Sequence, residues 1–98
     1  MLFARFDHQA GARTAGLDMP PTTVLVYGHA KGGTPIMQAV PQVALDLPLR
    51  VLVRQREDGR TVIAFHPIGA MLRRAGVAEA LAGRLDPAQQ MLVKALAG

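Results

Sequence analysis

A glycine-rich segment at residues 28–34 (GHAKGGT) carries the side chains whose types and order best suit binding chemistry. It follows an apolar run that predicts a strand and precedes Pro35, so we expect a turn that leads into a helix N-terminus. Free backbone N–H groups and the helix dipole at such a terminus favour an anion such as phosphate or carboxylate. The candidate ligand residues are His29, Lys31, Gly32, Gly33 and Thr34.

Two other interpretations bear on this segment. Lys31 precedes the glycines, whereas the Walker A phosphate loop needs a lysine between its last glycine and the hydroxyl residue, so that motif is excluded. A glycine-rich turn closed by Thr34 as the helix N-cap explains the same residues without any ligand.

The three histidines offer a second kind of chemistry, because each follows a predicted strand. If those strand ends converge, His8, His29 and His66 could hold zinc or another divalent metal, with Asp7 and Asp46 as carboxylate ligands. No pair has the close helical spacing of a metal motif, and three exposed or hydrogen-bonded loop histidines fit equally. Asp46 also suits a turn or capping role.

The remaining chemistry is limited by composition. The 98 residues contain no cysteine, which excludes disulfides and thiolate metal sites. Neither a nucleophile with a base nor a complete cofactor motif is present, so we assign no catalytic residue and no cofactor. Half of the residues are apolar, which predicts one domain, residues 1–98, with an aliphatic core.

Localisation and nucleic-acid binding are also addressed by the sequence. There is no basic region followed by a long apolar core at the N-terminus, and no apolar run long enough to cross a bilayer, so we expect a cytoplasmic protein without a membrane partner. The net charge is +4. A basic ridge for nucleic acid lacks interleaved aromatics and is less expected than a solvated strand face; its members would be Arg50, Arg54, Arg56 and Arg60.

Four strands are predicted, at residues 2–6, 22–28, 49–54 and 61–66. The second is apolar without alternation, which is typical of a central strand covered on both faces. The third alternates between a mainly apolar and a mainly basic face. Asp58 and Gly59 predict a hairpin that pairs the third strand with the fourth.

Helices are predicted between and after these strands. We expect them at residues 9–16, 35–39 and 68–75, with a further helical turn at residues 43–47. Thr34 is the predicted N-cap of the second helix. Near the C-terminus, Asp86, Pro87 and Gln89 predict an N-cap, a first helical residue and the third residue of a capping box.

Several segments, in this order along the chain, resemble the domain of unknown function 302 family of bacterial proteins: residues 3–8 (FARFDH), 21–28 (PTTVLVYG), 33–38 (GTPIMQ) and 46–49 (DLPL). The likeness covers residues 2–76. It implies an α+β fold similar to that of the TATA-binding protein, with a curved antiparallel sheet of about four strands and helices packed mainly on one face. It implies a tendency to form dimers and no particular biochemical activity.

The resemblance also implies what this chain lacks. Family members usually carry a strand and a long helix ahead of residue 2, so we expect a bare sheet face and an unpaired edge, in a naturally short chain or an N-terminally truncated one. His29 and residues 54–56 depart from the family pattern. We therefore expect a homodimeric binding or interaction domain without catalysis, the alternative being an anion- or metal-dependent small-ligand site at the strand ends and the glycine-rich loop.

Overall fold

A four-stranded antiparallel sheet organises the computed structural model, which describes residues 1–97. The strands lie side by side in chain order, so that β2 and β3 are central and the other two form the edges. Their bounds are β1 Leu2–Asp7, β2 Thr22–Tyr27, β3 Leu49–Gln55 and β4 Thr61–Ala64. Helices pack mainly on one face, and the α+β fold expected from the sequence is confirmed.

Helical elements separate the first three strands, and three more helices follow β4. A cap is visible at the start of the first helix, where the Asp7 carboxylate accepts a hydrogen bond from the Ala10 N–H at 3.0 Å. Gly16 and Gly76, at φ +76° and +90°, follow two of the helices in the left-handed region that glycine tolerates. The elements are α1 His8–Thr14, α2 Ala30–Ala39, a 3₁₀-helix Pro41–Asp46, α3 Ile68–Arg74, α4 Glu79–Ala82 and α5 Asp86–Ala97.

The core lies between the sheet and the helices that follow β2. Leu49 and Val51 of β3 are buried, as the alternation in that strand predicted, while Arg50 between them points to the other side and is exposed. Tyr27 is also buried, its hydroxyl has no hydrogen-bond partner, and burial raises its pKa. The other buried apolar residues are Ile36, Val43, Ile68, Leu72, Val77 and Ala82.

The opposite face of the sheet, which we call the open face, is left largely uncovered by residues 1–97. Phe6, Val24, Leu52 and Ala64 lie directly opposite one another across the four strands and form one apolar row on it. The prediction that β2 is covered on both faces is therefore wrong, since Val24 and the neighbouring Val26 are only half-buried. Both faces of β2 are apolar, although helices cover only one face.

The start of α2 also differs from the prediction. The helix begins at Ala30 rather than Pro35, so Thr34 is inside the helix and does not cap it. Gly28 has φ +153°, and this one residue turns the chain from β2 towards the helix. Pro35 consequently lies in the helix interior, where it cannot donate to the carbonyl four residues earlier.

The predicted capping box of α5 is replaced by contacts with α3. The Asp86 carboxylate accepts from the Gly69 N–H at 3.1 Å. The Gln89 side chain accepts from the Ile68 N–H at 3.0 Å and donates to the His66 carbonyl at 2.9 Å. Both side chains thus satisfy N–H groups at the start of α3, which has no side-chain cap of its own.

Candidate functional site

A cleft of about 220 Å³ opens beside the first turns of α2, and we call it the α2 cleft. The turn after β2 and one face of α2 form one side of it, while the start of β3 and the residues before it form the other. One aromatic side chain comes from β1 and one leucine from the segment between α4 and α5. The lining residues are Phe3, Gly28, His29, Ala30, Gly33, Thr34, Met37, Leu47, Pro48, Leu49 and Leu85.

Part of the predicted anion loop lies at this cleft. His29, Gly33 and Thr34 line it, whereas Lys31 and Gly32 do not. The geometry of the loop differs from the prediction, because the Gly32 and Gly33 N–H groups donate to the His29 carbonyl at 3.1 and 3.0 Å. Two of the N–H groups expected to face a ligand are therefore engaged within the first turn of the helix.

The polarity of the α2 cleft is low. Its lining contains no Lys, Arg, Asp or Glu side chain, and the polar side chains at its wall are the imidazole of His29 and the hydroxyl of Thr34. His29 occupies the N-cap position without making a side-chain capping hydrogen bond. The cleft can therefore shelter apolar groups and offer a few hydrogen bonds, but it supplies no charged side chain.

The three histidines do not come together as one group in the fold. His8 begins α1 beyond the end of β1, and His66 lies beyond the end of β4, the opposite edge strand of the sheet. Edge strands of a four-stranded sheet are roughly 14 Å apart, whereas zinc–nitrogen bonds are about 2 Å. His29 lines the α2 cleft on the helix side. Within residues 1–97 no three His, Asp or Glu side chains form a group that could hold a metal ion.

The open face carries a second, larger depression of about 810 Å³. Its floor is the apolar row of the sheet, extended by Val26, Leu45 and Phe65. Leu45 is 74% exposed and Phe65 38% exposed. The three charged or titratable side chains at its wall are all basic types, His8, Arg50 and His66.

The strongest ionic contact outside these surfaces joins α3 to α4. The Arg73 guanidinium donates to both carboxylate oxygens of Glu79, from Nε at 3.0 and 2.9 Å. This hydrogen bonding, together with the Arg73 charge, holds the pKa of the exposed Glu79 carboxyl below its usual value. The pair links two short helices across the turn between them and lies away from the α2 cleft.

Sequence reasoning missed the apolar half of the α2 cleft. Three of its apolar residues come from segments far apart in the chain: Phe3, Met37 and Leu85. A pattern of local spacing therefore could not predict that they meet. A partial signal did exist at Leu47 and Pro48, which belong to one of the segments quoted for the family likeness. The peptide bond between these two residues is cis.

Comparison with protein families settles the relationship suggested by the sequence segments. The family described as domain of unknown function DUF302 matches residues 1–98. The chain belongs to the DUF302 family. A solved DUF302 structure, that of an uncharacterized conserved protein from Bacillus stearothermophilus, aligns with a TM-score of 0.77 at 18% identity. The alignment covers 95% of this chain and 72% of that one, and at this identity it shows a shared fold.

Curated relatives of this DUF302 chain include two Brucella proteins, from Brucella suis and Brucella abortus, each named fluoride-specific ion channel FluC 1. Each is 42% identical over 59 residues, which is 60% of this chain. The match accounts for 23% and 22% of the two relatives, so the chain matches less than a quarter of their length. In the DUF302 chain itself, none of the helices within residues 1–97 is long and apolar enough to cross a membrane.

Proposed function

We propose that this DUF302 domain is a homodimeric interaction module in which β1 pairs with β1 of a second copy. The observation that carries the proposal is the outer edge of β1, which has no strand partner within residues 1–97 and is flanked by exposed apolar side chains. Leu2 is 58% and Phe6 54% exposed. A six-residue edge strand of this kind is a template for pairing with another chain.

Charge favours a register centred near the end of β1. In an antiparallel pairing about a twofold axis at Phe6, only residues 5–7 of each strand pair with one another, and the two Phe6 rings lie opposite each other on the open face. Arg5 then lies opposite Asp7 of the second copy, and the contact occurs twice. Asp7 uses Oδ1 to cap α1, which leaves its other oxygen for the ion pair. An axis one residue earlier would instead place two Arg5 side chains opposite each other, which is unfavourable.

Packing two open faces against each other is less favourable than pairing at the edge. Such an interface would bring together the Arg50 side chains of both copies, and no carboxylate lines the depression on this face beside them. Unpaired cations that lose water cost free energy. Edge pairing leaves these groups in solvent and places the two open faces side by side.

The Brucella relatives show that a segment similar to this one occurs within a longer chain. Their matching segment is about a quarter of a longer chain that is named for a fluoride-specific ion channel. An independently folded module that self-associates can be joined to another protein and bring two copies together. We extend to this chain only the capacity for such self-association.

Light scattering on a dilution series tests the dimer directly. Concentrations from about 1 mM to about 1 μM detect association free energies between about 4 and 8 kcal/mol. We expect Phe6→Lys to shift the protein to monomer, because two ammonium groups would then face each other. Met91→Lys is the matched control, since Met91 is 72% exposed on α5 and far from β1 in the chain.

A charge-exchange experiment tests the register. Arg5→Glu places carboxylates opposite Asp7, and Asp7→Lys places ammonium groups opposite Arg5, so each variant alone should dimerise more weakly than the native chain. A mixture of the two variants should form a mixed dimer, because both contacts are then between opposite charges. A native chain that is monomeric at about 1 mM contradicts the proposed function, and a mixture no better than its components contradicts the register.

A further inference from the structure

We infer that the α2 cleft binds a neutral, largely apolar small molecule about the size of a single aromatic ring with one hydrogen-bonding group. The inference concerns a site on the helix side of the sheet and does not depend on the proposed dimer. It rests on the volume of the cleft, on the chemistry of its walls, and on the way a glycine shapes it.

The volume of the cleft sets the size of the ligand. The cleft measures about 220 Å³. An apolar cavity of about 150 Å³ in another protein is known to hold benzene, so this cleft has room for a ring with a short substituent. A second ring or a long acyl chain would extend beyond it into solvent.

The side chains that line the cleft determine which charge a ligand can carry. Phe3, Met37, Leu47 and Leu85 contribute apolar side chains, and no Lys, Arg, Asp or Glu side chain lines the cleft. A carboxylate or phosphate buried here would lose water without gaining a cation, which is costly. A hydroxyl or carbonyl needs only one partner, and the His29 imidazole and the Thr34 hydroxyl both line the cleft.

This chemistry differs from that expected of the glycine-rich loop. Lys31, the cation that made an anion plausible, does not line the cleft. The N–H groups of the two glycines are engaged with the His29 carbonyl. What remains at the cleft is an apolar cavity with one imidazole and one hydroxyl, so the charge of the ligand is the feature that separates the two interpretations.

A larger side chain in place of Gly33, in the wall of the cleft, should fill the cleft. A Cβ atom added at this residue would lie 3.7 Å from the Met37 methyl and 4.0 Å from Leu47 Cδ1, both ordinary contacts. Gly33 has no positive φ, so a side chain is compatible with the helix. A leucine there would project among the residues that line the cleft, and occupy the space of the ligand.

Gly11 in α1 is the matched control for that substitution. It is also a helical glycine without a positive φ, and an added Cβ atom would meet nothing within 4 Å. Gly11→Leu therefore makes the same chemical change in a helix without altering the α2 cleft. It also reproduces the gain in helix propensity that Gly33→Leu brings.

The experiment titrates the full chain with benzyl alcohol and with benzoate, a neutral and an anionic probe of nearly the same size, and follows methyl chemical shifts by NMR. We expect saturable binding of benzyl alcohol with a dissociation constant of about 1 mM or tighter, and binding of benzoate at least about 10-fold weaker. Gly33→Leu should weaken benzyl alcohol binding at least about 10-fold, and Gly11→Leu less than about 2-fold. Nuclear Overhauser effects between probe protons and the Met37 methyl group of the native chain locate the probe independently of any variant.

Four results overturn the inference. One is the absence of saturable benzyl alcohol binding to the native chain. The second is equally tight binding by a folded Gly33→Leu variant, and the third is a set of probe contacts that does not include the Met37 methyl. The fourth is tighter binding of benzoate than of benzyl alcohol, which would support an anion at the start of α2 instead. If Gly33→Leu does not fold, the Overhauser effects decide between these outcomes.

Discussion

Replacing Gln89 with methionine removes the two hydrogen bonds by which α5 holds the start of α3. Gln89 is 3% exposed, and its amide bridges the Ile68 N–H and the His66 carbonyl at 3.0 and 2.9 Å. Methionine has nearly the same length and volume, so the substitution tests the hydrogen bonds rather than a cavity. It leaves one donor and one acceptor of the backbone without a protein partner.

The expected cost follows from the surroundings of these two groups. A buried polar group that loses its partner costs about 1–3 kcal/mol. The Ile68 residue is 2% exposed, so water cannot replace the amide oxygen at its N–H. His66 is exposed, so its carbonyl can recover part of the loss from water. Together these give a destabilisation of about 2–4 kcal/mol, a large share of the stability of a chain of this size.

Thermal unfolding followed by far-ultraviolet circular dichroism measures this cost. For about 100 residues, 2 kcal/mol or more lowers Tm by at least about 8 °C. Gln90→Met is the control, because Gln90 is the next residue of the same helix and is exposed. We expect its free energy of unfolding to change by less than about 0.5 kcal/mol. If the two variants unfold at the same temperature, the bridge does not stabilise the fold and the reasoning fails.

Two further predictions concern the contacts around α3. In Gly69→Ala the new Cβ would lie 2.7 Å from Asp86 Oδ1, so the carboxylate must move away from the Gly69 N–H that donates to it. We expect the free energy of unfolding, measured in urea, to fall by about 1–3 kcal/mol. Gly11→Ala is the control and should cause no such fall. The Glu79 carboxyl has a pKa below its ordinary 4.5 because Arg73 donates a hydrogen bond to it. The ion pair therefore stabilises the fold fully above about pH 4.5, and this stabilisation is lost as the pH falls through the lowered pKa. The difference in unfolding free energy between the native chain and Glu79→Gln should therefore shrink as the pH falls from about 6 to about 3, and a difference that does not shrink contradicts this assignment.

The strands could be predicted from the sequence because their patterns are local. The alternation of residues 49–54 identified both faces of β3, and the Asp58–Gly59 pair identified the hairpin to β4. The same local reasoning failed for the environment of β2. An apolar strand and a strand covered on both faces look alike in sequence, and whether another element covers the second face is a property of the whole fold.

The start of α2 shows a different limit. Thr34 followed by Pro35 is typical of a helix start, and the two glycines before Thr34 are typical of a turn. The structure forms the turn at Gly28 instead, and the apolar face of α2 buries Ile36 against the sheet. Tertiary packing thus outweighs the local preference of glycine and proline in this segment.

The partners of Asp86 and Gln89 lay beyond any local pattern. Their order and spacing match a capping box, which is a contact within one helix turn, but their hydrogen bonds reach residues 17, 21 and 23 positions earlier in the chain. An N-terminus of α3 without a cap of its own is the physical reason, because its N–H groups need acceptors from elsewhere. The α2 cleft was missed on similar grounds, since its apolar walls come from several separate elements.

The proposed dimer and the proposed ligand use different side chains of the same strand, which makes them separable. Phe3 lines the α2 cleft on one side of the sheet, and Phe6 lines the depression on the open face. Phe6→Lys should therefore abolish dimerisation while benzyl alcohol still binds as tightly as to the native chain. Loss of both properties together would mean that β1 has left the sheet, because both the paired edge and the Phe3 wall depend on its position. Retention of both would contradict the dimer alone and leave the evidence for the cleft unchanged.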